Sequence, residues 1–179
     1  FQQRLREDRF ARHWHDLARL DAAGLAEKAI AHRDLANAVA FVRANADRFG
    51  IDAERVAIGG FSAGGLAAVN AAYGLRAPVK AVISLSGGIG GFDLRKTASA
   101  GLPPGLFVIG QNDLDGVFVG TRRVLGILAA AGIKTESAWM PGFGHFYPMG
   151  ATSLGNDISK LTLENRIVRF LERRVGIRR

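Results

Sequence analysis

Val56-Ala57-Ile58-Gly59-Gly60-Phe61-Ser62-Ala63-Gly64-Gly65 is the stretch on which the fold turns. The run from Val56 to Gly59 is apolar and reads as the end of a buried strand over Arg55–Gly59. The alanine-rich run Ala63–Tyr73 reads as a helix. Between them, Gly60-Phe61-Ser62-Ala63-Gly64 sets a serine at the apex of a sharp strand-to-helix turn. At such an apex the serine backbone is strained and the flanking chains crowd its Cβ. Gly60 and Gly64, two positions either side, are therefore expected to keep the bend free of side chains. Ser62 Oγ is expected above the sheet, at the N-terminus of the following helix, where the partial positive charge favours a developing oxyanion. The chain holds 23 glycines, enough to produce G-x-S-x-G by chance, so the strand before it and the helix after it carry the inference.

A nucleophilic serine needs a base, and the base needs an orienting carboxylate. Leu106-Phe107-Val108-Ile109-Gly110 has the pattern of a buried strand and runs into Gln111-Asn112-Asp113. Thr135–Met140 is a further strand, followed by Pro141-Gly142-Phe143-Gly144-His145. Both candidates lie just past the C-terminal end of a strand, where open parallel sheets form their ligand crevice. Asp115 is the main rival to Asp113 and Asp93 a weaker one. Asp113 is preferred because it follows its strand more closely.

These pieces, in the order Ser, Asp, His, resemble the serine esterase/lipase branch of the α/β-hydrolase superfamily. The resemblance runs from about Asn37 to the C-terminus. It takes in the helix Val39–Phe49, the turn Gly50-Ile51-Asp52, the elbow and the segments at 110–113 and 141–145. It implies an α/β-hydrolase fold, with Ser62 as nucleophile, Asp113 as acid and His145 as general base. Asp113 also matches the family's Gly-x-x-Asp spacing. The Ala63 N–H would be one half of an oxyanion hole. The implied activity is hydrolysis of carboxylic esters through an acyl-enzyme, without a cofactor. The triad alone leaves open the amide- and peptide-cleaving prolyl-oligopeptidase branch. A non-catalytic remnant binding acidic partners is the other alternative.

The family's oxyanion loop, often His-Gly-Gly-Gly, lies on a strand well upstream of the elbow, and no such segment occurs here. Residues 1–50 are rich in Arg, Ala, Leu, Asp and Glu with helical periodicity. The expectation is one α/β domain over 1–179, N-terminally incomplete. It would hold a helical part over 1–50 and the C-terminal part of a mostly parallel sheet, flanked by helices, over 51–179. An elbow strand without its upstream neighbour would expose an edge and favour self-association.

Further elements follow from the pattern. Helices are expected over 2–20 and Ala22–Phe49, the latter with a break near His32 and a stop at Gly50. Val79–Leu85 reads as a strand closed by Ser86-Gly87-Gly88, and Leu94–Ala98 as a helical turn. Val117–Ala131 reads as a helix ending at Gly132, and Leu161–Val175 as a terminal helix with Ile167, Val168, Phe170 and Leu171 on its apolar side. Alternating strands and helices predict parallel pairing with right-handed crossovers. The connection 87–104 is short, so an open site without a large lid is expected. Phe61, Phe143 and Phe146 are candidates to line it, with Phe92 and Tyr147 nearby.

Composition narrows the partners. The apolar fraction is 48% and the net charge +8, with no cysteine. Disulfides, thiolate metal sites and cysteine nucleophiles are thereby excluded. No apolar run reaches membrane-spanning length. Arginines cluster at Arg4, Arg6, Arg9 and Arg12, and again at Arg166, Arg169, Arg173, Arg174, Arg178 and Arg179. No aromatic residues interleave with them as a single-strand platform would need, so they read as solvated helix faces and nucleic acid is not expected as a partner. His13 and His15 are two residues apart and do not share a helix face, so no metal site is expected. No G-x-G-x-x-G opens a helix, so there is no dinucleotide fingerprint; a small-molecule ester is the ligand that the resemblance implies.

Overall fold

The first helices end where the sequence supplies a glycine. In the computed structural model, which describes residues 33–88 and 93–176, α1 spans Arg33–Ala44 and α2 spans Ala46–Phe49. Gly50 closes α2 at φ 64°, a left-handed angle that suits glycine. The helix expected over 2–20, the His13/His15 pair, His32, the arginines before residue 33, Phe92, Arg178 and Arg179 lie outside the described residues. The expected single domain over 1–179 likewise reaches beyond them.

Asp52 then commits the backbone to a turn. Its carboxylate accepts the Glu54 N–H at 2.8 Å and caps a 3₁₀ turn over Ala53–Arg55. The strand therefore does not start at Arg55: β1 spans Ala57–Phe61 and runs through the two glycines up to the elbow. After the elbow, α3 covers Ala63–Val69 and widens into a π-helical turn over Asn70–Gly74. β2 (Ala81–Leu85), α4 (Leu94–Thr97), β3 (Gly105–Gly110), α5 (Asp115–Ala130) and β4 (Thr135–Met140) follow in alternation. Gly132, just past α5, sits at φ 74° as its stop signal predicts.

The chain then adds two strands that the sequence reading did not anticipate, β5 (Thr152–Gly155) and β6 (Lys160–Thr162). Leu161, expected in the terminal helix, belongs to β6. That helix, α6, spans Leu163–Val175, and the Thr162 hydroxyl accepts the Asn165 N–H at its start. The sheet order is β1-β2-β3-β4-β5-β6. Pairing is parallel from β1 to β4 and antiparallel from β4 to β6. Among the described residues β1 pairs with β2 alone.

Alternation along the central strands sorts the core into two layers. Val82 and Phe107 pack with Val39, Val69, Tyr73, Leu94, Val124 and Leu128 under α1, α3, α4 and α5. Ile83, Leu106 and Val108 face the other way, against Leu163 and Phe170 of α6. Val168, expected on the apolar side of α6, stays outside that layer, while Ile167 and Leu171 pack against it. The parallel registers Phe61–Leu85, Leu85–Val108 and Gly110–Met140 bring four strand ends level. The loops that follow them build one site.

Candidate active site

Ser62 is held at the apex by its own backbone. Its φ of 53° and ψ of −120° lie outside the ordinary regions for a residue with a Cβ, a conformation costing about 1–3 kcal/mol that surrounding structure must hold in place. The Ser62 N–H donates to the Leu85 carbonyl at 2.8 Å, and the Leu66 N–H donates to the Ser62 carbonyl. The bend is thus tied to β2 on one side and to α3 on the other.

The crowding is asymmetric. A Cβ on Gly60 would overlap the Gly64 backbone, and a Cβ on Gly65 would lie 2.9 Å from the Gly60 carbonyl oxygen and 3.1 Å from Gly87 Cα. A Cβ on Gly64 would meet nothing within 4 Å. Close approach therefore demands glycine at 60 and 65. This corrects the expectation for Gly64, whose Cβ would point into open space.

Two further loops complete the group. Asp113 follows β3, and its carboxylate is fixed by its own turn. The Leu114 N–H donates to Oδ1 at 2.8 Å and the Gly110 N–H to Oδ2 at 3.2 Å. The loop after β4 comes down on the same turn, with the Asn112 N–H donating to the Phe143 carbonyl at 2.9 Å. Gly110 permits that approach, since a Cβ there would overlap the Gly144 carbonyl oxygen. The loop delivers His145 between the other two. Its Nδ1 lies 2.7 Å from Asp113 Oδ1 and its Nε2 lies 2.8 Å from Ser62 Oγ. The Asp113 side chain is fully buried and that of His145 is nearly so. With Asp113 ionised and acceptor-only, Nδ1 carries the proton and Nε2 is free to accept from the serine hydroxyl.

The rival acids stand elsewhere. Asp115 is exposed in the first turn of α5. Asp93 caps α4 and pairs with Arg95 at 2.9 Å. Of the aromatic candidates, Phe61 stacks near His145 and Phe146 at centroid distances of 5.3 and 5.4 Å. Phe146 also meets the His145 ring and keeps 49% of its surface exposed. Phe143 instead packs against the α6-side core layer.

Two neighbours were not singled out for the acid's surroundings. The Ser86 hydroxyl donates to Asp113 Oδ2 at 2.5 Å. The Tyr147 hydroxyl lies 2.9 Å from Ser86 Oγ and 3.0 Å from the Val108 carbonyl oxygen. Burial holds the Tyr147 phenol well above its ordinary range, with the Ser86 hydrogen bond opposing and the Asp113 charge adding. The signal that located Asp113 also applies to Ser86: it is a polar residue one step past the C-terminal end of a parallel strand.

Of the terminal arginines, Arg169 and Arg173 are exposed as expected, while Arg166 and Arg174 are less solvated. Arg166 is buried, and its guanidinium donates to Ser153 Oγ at 2.6 Å and to the Ser153 and Ser159 carbonyls. Arg173 and Arg174 both pair with Glu136. A polar cavity of about 400 Å³ lies here, bordered by Thr135, Asp157 and Arg169 among others. It opens at the start of β4, whereas His145 follows that strand's other end. No described helix is long and apolar enough to cross a membrane.

The sequence profile of the phospholipase/carboxylesterase family matches residues 3–92, half of the 179-residue chain. The chain belongs to the phospholipase/carboxylesterase family. The match extends upstream of Asn37, into the segment that the sequence reading left outside the resemblance. No curated protein sequence matches significantly. Among solved structures, esterase PE8 is 25% identical with a TM-score of 0.59, over 83% of this chain and 61% of that one. MGS-M1, an α/β hydrolase enzyme from a Medee basin deep-sea metagenome library, is 18% identical with a TM-score of 0.65, over 82% of this chain and 65% of its own. Esterase 2 of Thermogutta terrifontis, in a form phosphorylated by paraoxon, is 18% identical with a TM-score of 0.57, over 78% and 60%. The fold of this phospholipase/carboxylesterase relative is that of the α/β hydrolases, and the chain spans about three fifths of the length of these structures.

Proposed function

We propose that the chain hydrolyses carboxylic esters by acyl transfer through Ser62. The observation that carries this reading is the unbroken line of hydrogen bonds from Asp113 Oδ1 through His145 to Ser62 Oγ, at 2.7 and 2.8 Å. His145 Nε2 takes the hydroxyl proton as Oγ attacks the ester carbonyl. Asp113 stabilises the imidazolium that forms. The Ala63 N–H belongs to the first turn of α3, where no side-chain cap from Ser62 engages it. It is available to the tetrahedral oxyanion. Collapse of that intermediate expels the alcohol, which receives the proton from His145. Water, activated by the same histidine, then releases the acid. Phe61 and Phe146 offer an apolar edge beside the nucleophile, suited to small or medium acyl groups.

Family membership supports the ester assignment, as does the likeness to solved esterases. The test is a fluorophosphonate probe on the purified chain, with the adduct located by mass spectrometry and Ser62→Ala beside it. An adduct on Ser62, together with ester turnover that the variant loses by on the order of 10⁴–10⁶-fold, is expected. A folded wild type that takes no adduct, or a variant that still turns over ester, refutes the proposal. Matched ester and amide substrates then measure the preference for the ester bond.

A further inference from the structure

We infer that Ser86 is a positioning residue for the ester chemistry, held in its working orientation by Tyr147; this rests on the acyl-transfer reading of Ser62. The argument begins with the acceptor count at Asp113. A carboxylate only accepts, and this one has no exposed surface from which water could serve it. Its Oδ1 receives His145 Nδ1 and the Leu114 N–H. Its Oδ2 receives the Gly110 N–H and, at 2.5 Å, the Ser86 hydroxyl. The two backbone donors hold one bond on each oxygen, and the one on Oδ2 is the longer, at 3.2 Å against 2.8 Å. Ser86 supplies a side-chain donor on the oxygen opposite His145. The pull of Ser86 on Oδ2 fixes the plane in which Oδ1 meets the imidazole.

Proton counting then brings in Tyr147. Ser86 and Tyr147 own one hydroxyl proton each, yet three oxygen–oxygen contacts join them to Asp113, to each other and to the Val108 carbonyl. The carboxylate has no proton to give, so the Ser86 proton goes to Asp113. The Val108 carbonyl already accepts the Ser86 N–H at 2.7 Å. A carbonyl has a second lone pair, and it takes the Tyr147 hydroxyl at 3.0 Å, so Tyr147 shares its one proton between Val108 and Ser86 Oγ, 2.9 Å away. Burial keeps that phenol protonated. Tyr147, anchored on the Val108 carbonyl, thus braces the Ser86 hydroxyl, whose own proton goes to Asp113.

The backbone adds an independent observation. Ser86 has a φ of 50°, where glycine sits without cost and a side chain does not. A serine at a position that suits glycine points to its hydroxyl. It also supplies a clean experiment, because Ser86→Gly removes the hydroxyl while relieving the backbone. Kinetics on a short-chain ester and the rate of Ser62 labelling by the fluorophosphonate are measured in the wild type, Ser86→Gly, Tyr147→Phe and the double variant. Ser86→Gly is expected to lose about ten- to hundredfold in kcat and in labelling rate, as the loss of a hydrogen bond to a charged group would give. KM should stay unchanged and thermal unfolding cooperative. Tyr147→Phe should lose less, and the double variant no more than Ser86→Gly alone, because both act on one carboxylate.

A folded Ser86→Gly that labels and turns over at the wild-type rate overturns the inference, as do losses that multiply in the double variant. Should Ser86→Gly fail to fold, Tyr147→Phe decides: a slower kcat and labelling rate at constant KM supports the inference, and unchanged rates refute it. A wild type that neither labels nor turns over ester is a different outcome. It refutes the acyl-transfer reading itself.

Discussion

Asp113 and Arg166 are both buried charged residues, one just after β3 and one on α6, and they differ in where their hydrogen bonds lead. Arg166 reaches Ser153 and Ser159 of the β5–β6 hairpin, whose hydroxyls donate on to the Leu161 carbonyl and the Asp157 carboxylate of the same hairpin. Its donors meet hydroxyls and carbonyls of β5 and of the loop before β6, so it fastens the hairpin to α6. Burial draws its pKa below the ordinary guanidinium value, against the pull of Asp157 and Glu136. Asp113 is just as well supplied, with donors on both oxygens, but one of its bonds continues through His145 to a serine on a strained apex. A buried charge whose network stays within one hairpin holds the fold together. On the proposed reading, one whose network runs out to Ser62 serves the chemistry as well.

The comparison is broken or kept by substituting both residues. Asp113→Asn is expected to lower kcat by about 10⁴, the size expected when the histidine is held in the wrong tautomer, with a cooperative unfolding transition retained. A loss under tenfold would mean that Asp113 merely fills space. Arg166→Ala is expected to do the reverse. It removes the charge-assisted hydrogen bonds that tie the hairpin to α6 and opens a void, at a cost of about 3 kcal/mol, or roughly 6–12 °C in Tm for a chain of this size. Ester turnover per folded molecule should stay within about twofold. Calorimetry with activity measured on the same samples checks both halves. A stable Arg166→Ala with impaired turnover would place that arginine in the chemistry after all.

The same contrast explains what could be read from the chain. The elbow, its partners and the helix stops at Gly50 and Gly132 are local signals: a glycine at a left-handed angle, or a polar residue just beyond an apolar run. Parallel order from β1 to β4 follows from alternation of strands with helices. β5 and β6 carry no such signal. Thr152–Gly155 and Lys160–Thr162 are short and half polar, and become strands only by pairing outward from β4. Arg166 was hidden by its neighbours, a charge in an arginine-rich helix. A clue was present, because 163, 166 and 170 lie on one helical face, and Leu163 and Phe170 are core residues. The start of β1 was misread because Asp52 captures the Glu54 N–H, a side-chain contact that overrides the apolar pattern.

The smallest effect tests the elbow itself. G-x-S-x-G reads as a symmetric requirement, a glycine on each side of the serine, whereas the contacts are one-sided. A Cβ on Gly60 runs into the backbone at Gly64, while a Cβ on Gly64 meets open space. Backbone atoms at the head of α3 cannot yield without moving Ser62, so Gly60→Ala should cost about 1–3 kcal/mol and slow the labelling of Ser62. Gly64 is helical and exposed, with no positive φ. There alanine lowers the entropy lost on folding, and Gly64→Ala should stabilise by about 0.5–1 kcal/mol. Denaturant unfolding of the pair separates the two by at least the sum of the lower bounds. If Gly64→Ala is stable but slow with ester, the second glycine of the motif keeps space for substrate and not for the fold. If the two variants are equally destabilised, the elbow is crowded on both sides and the asymmetry is wrong.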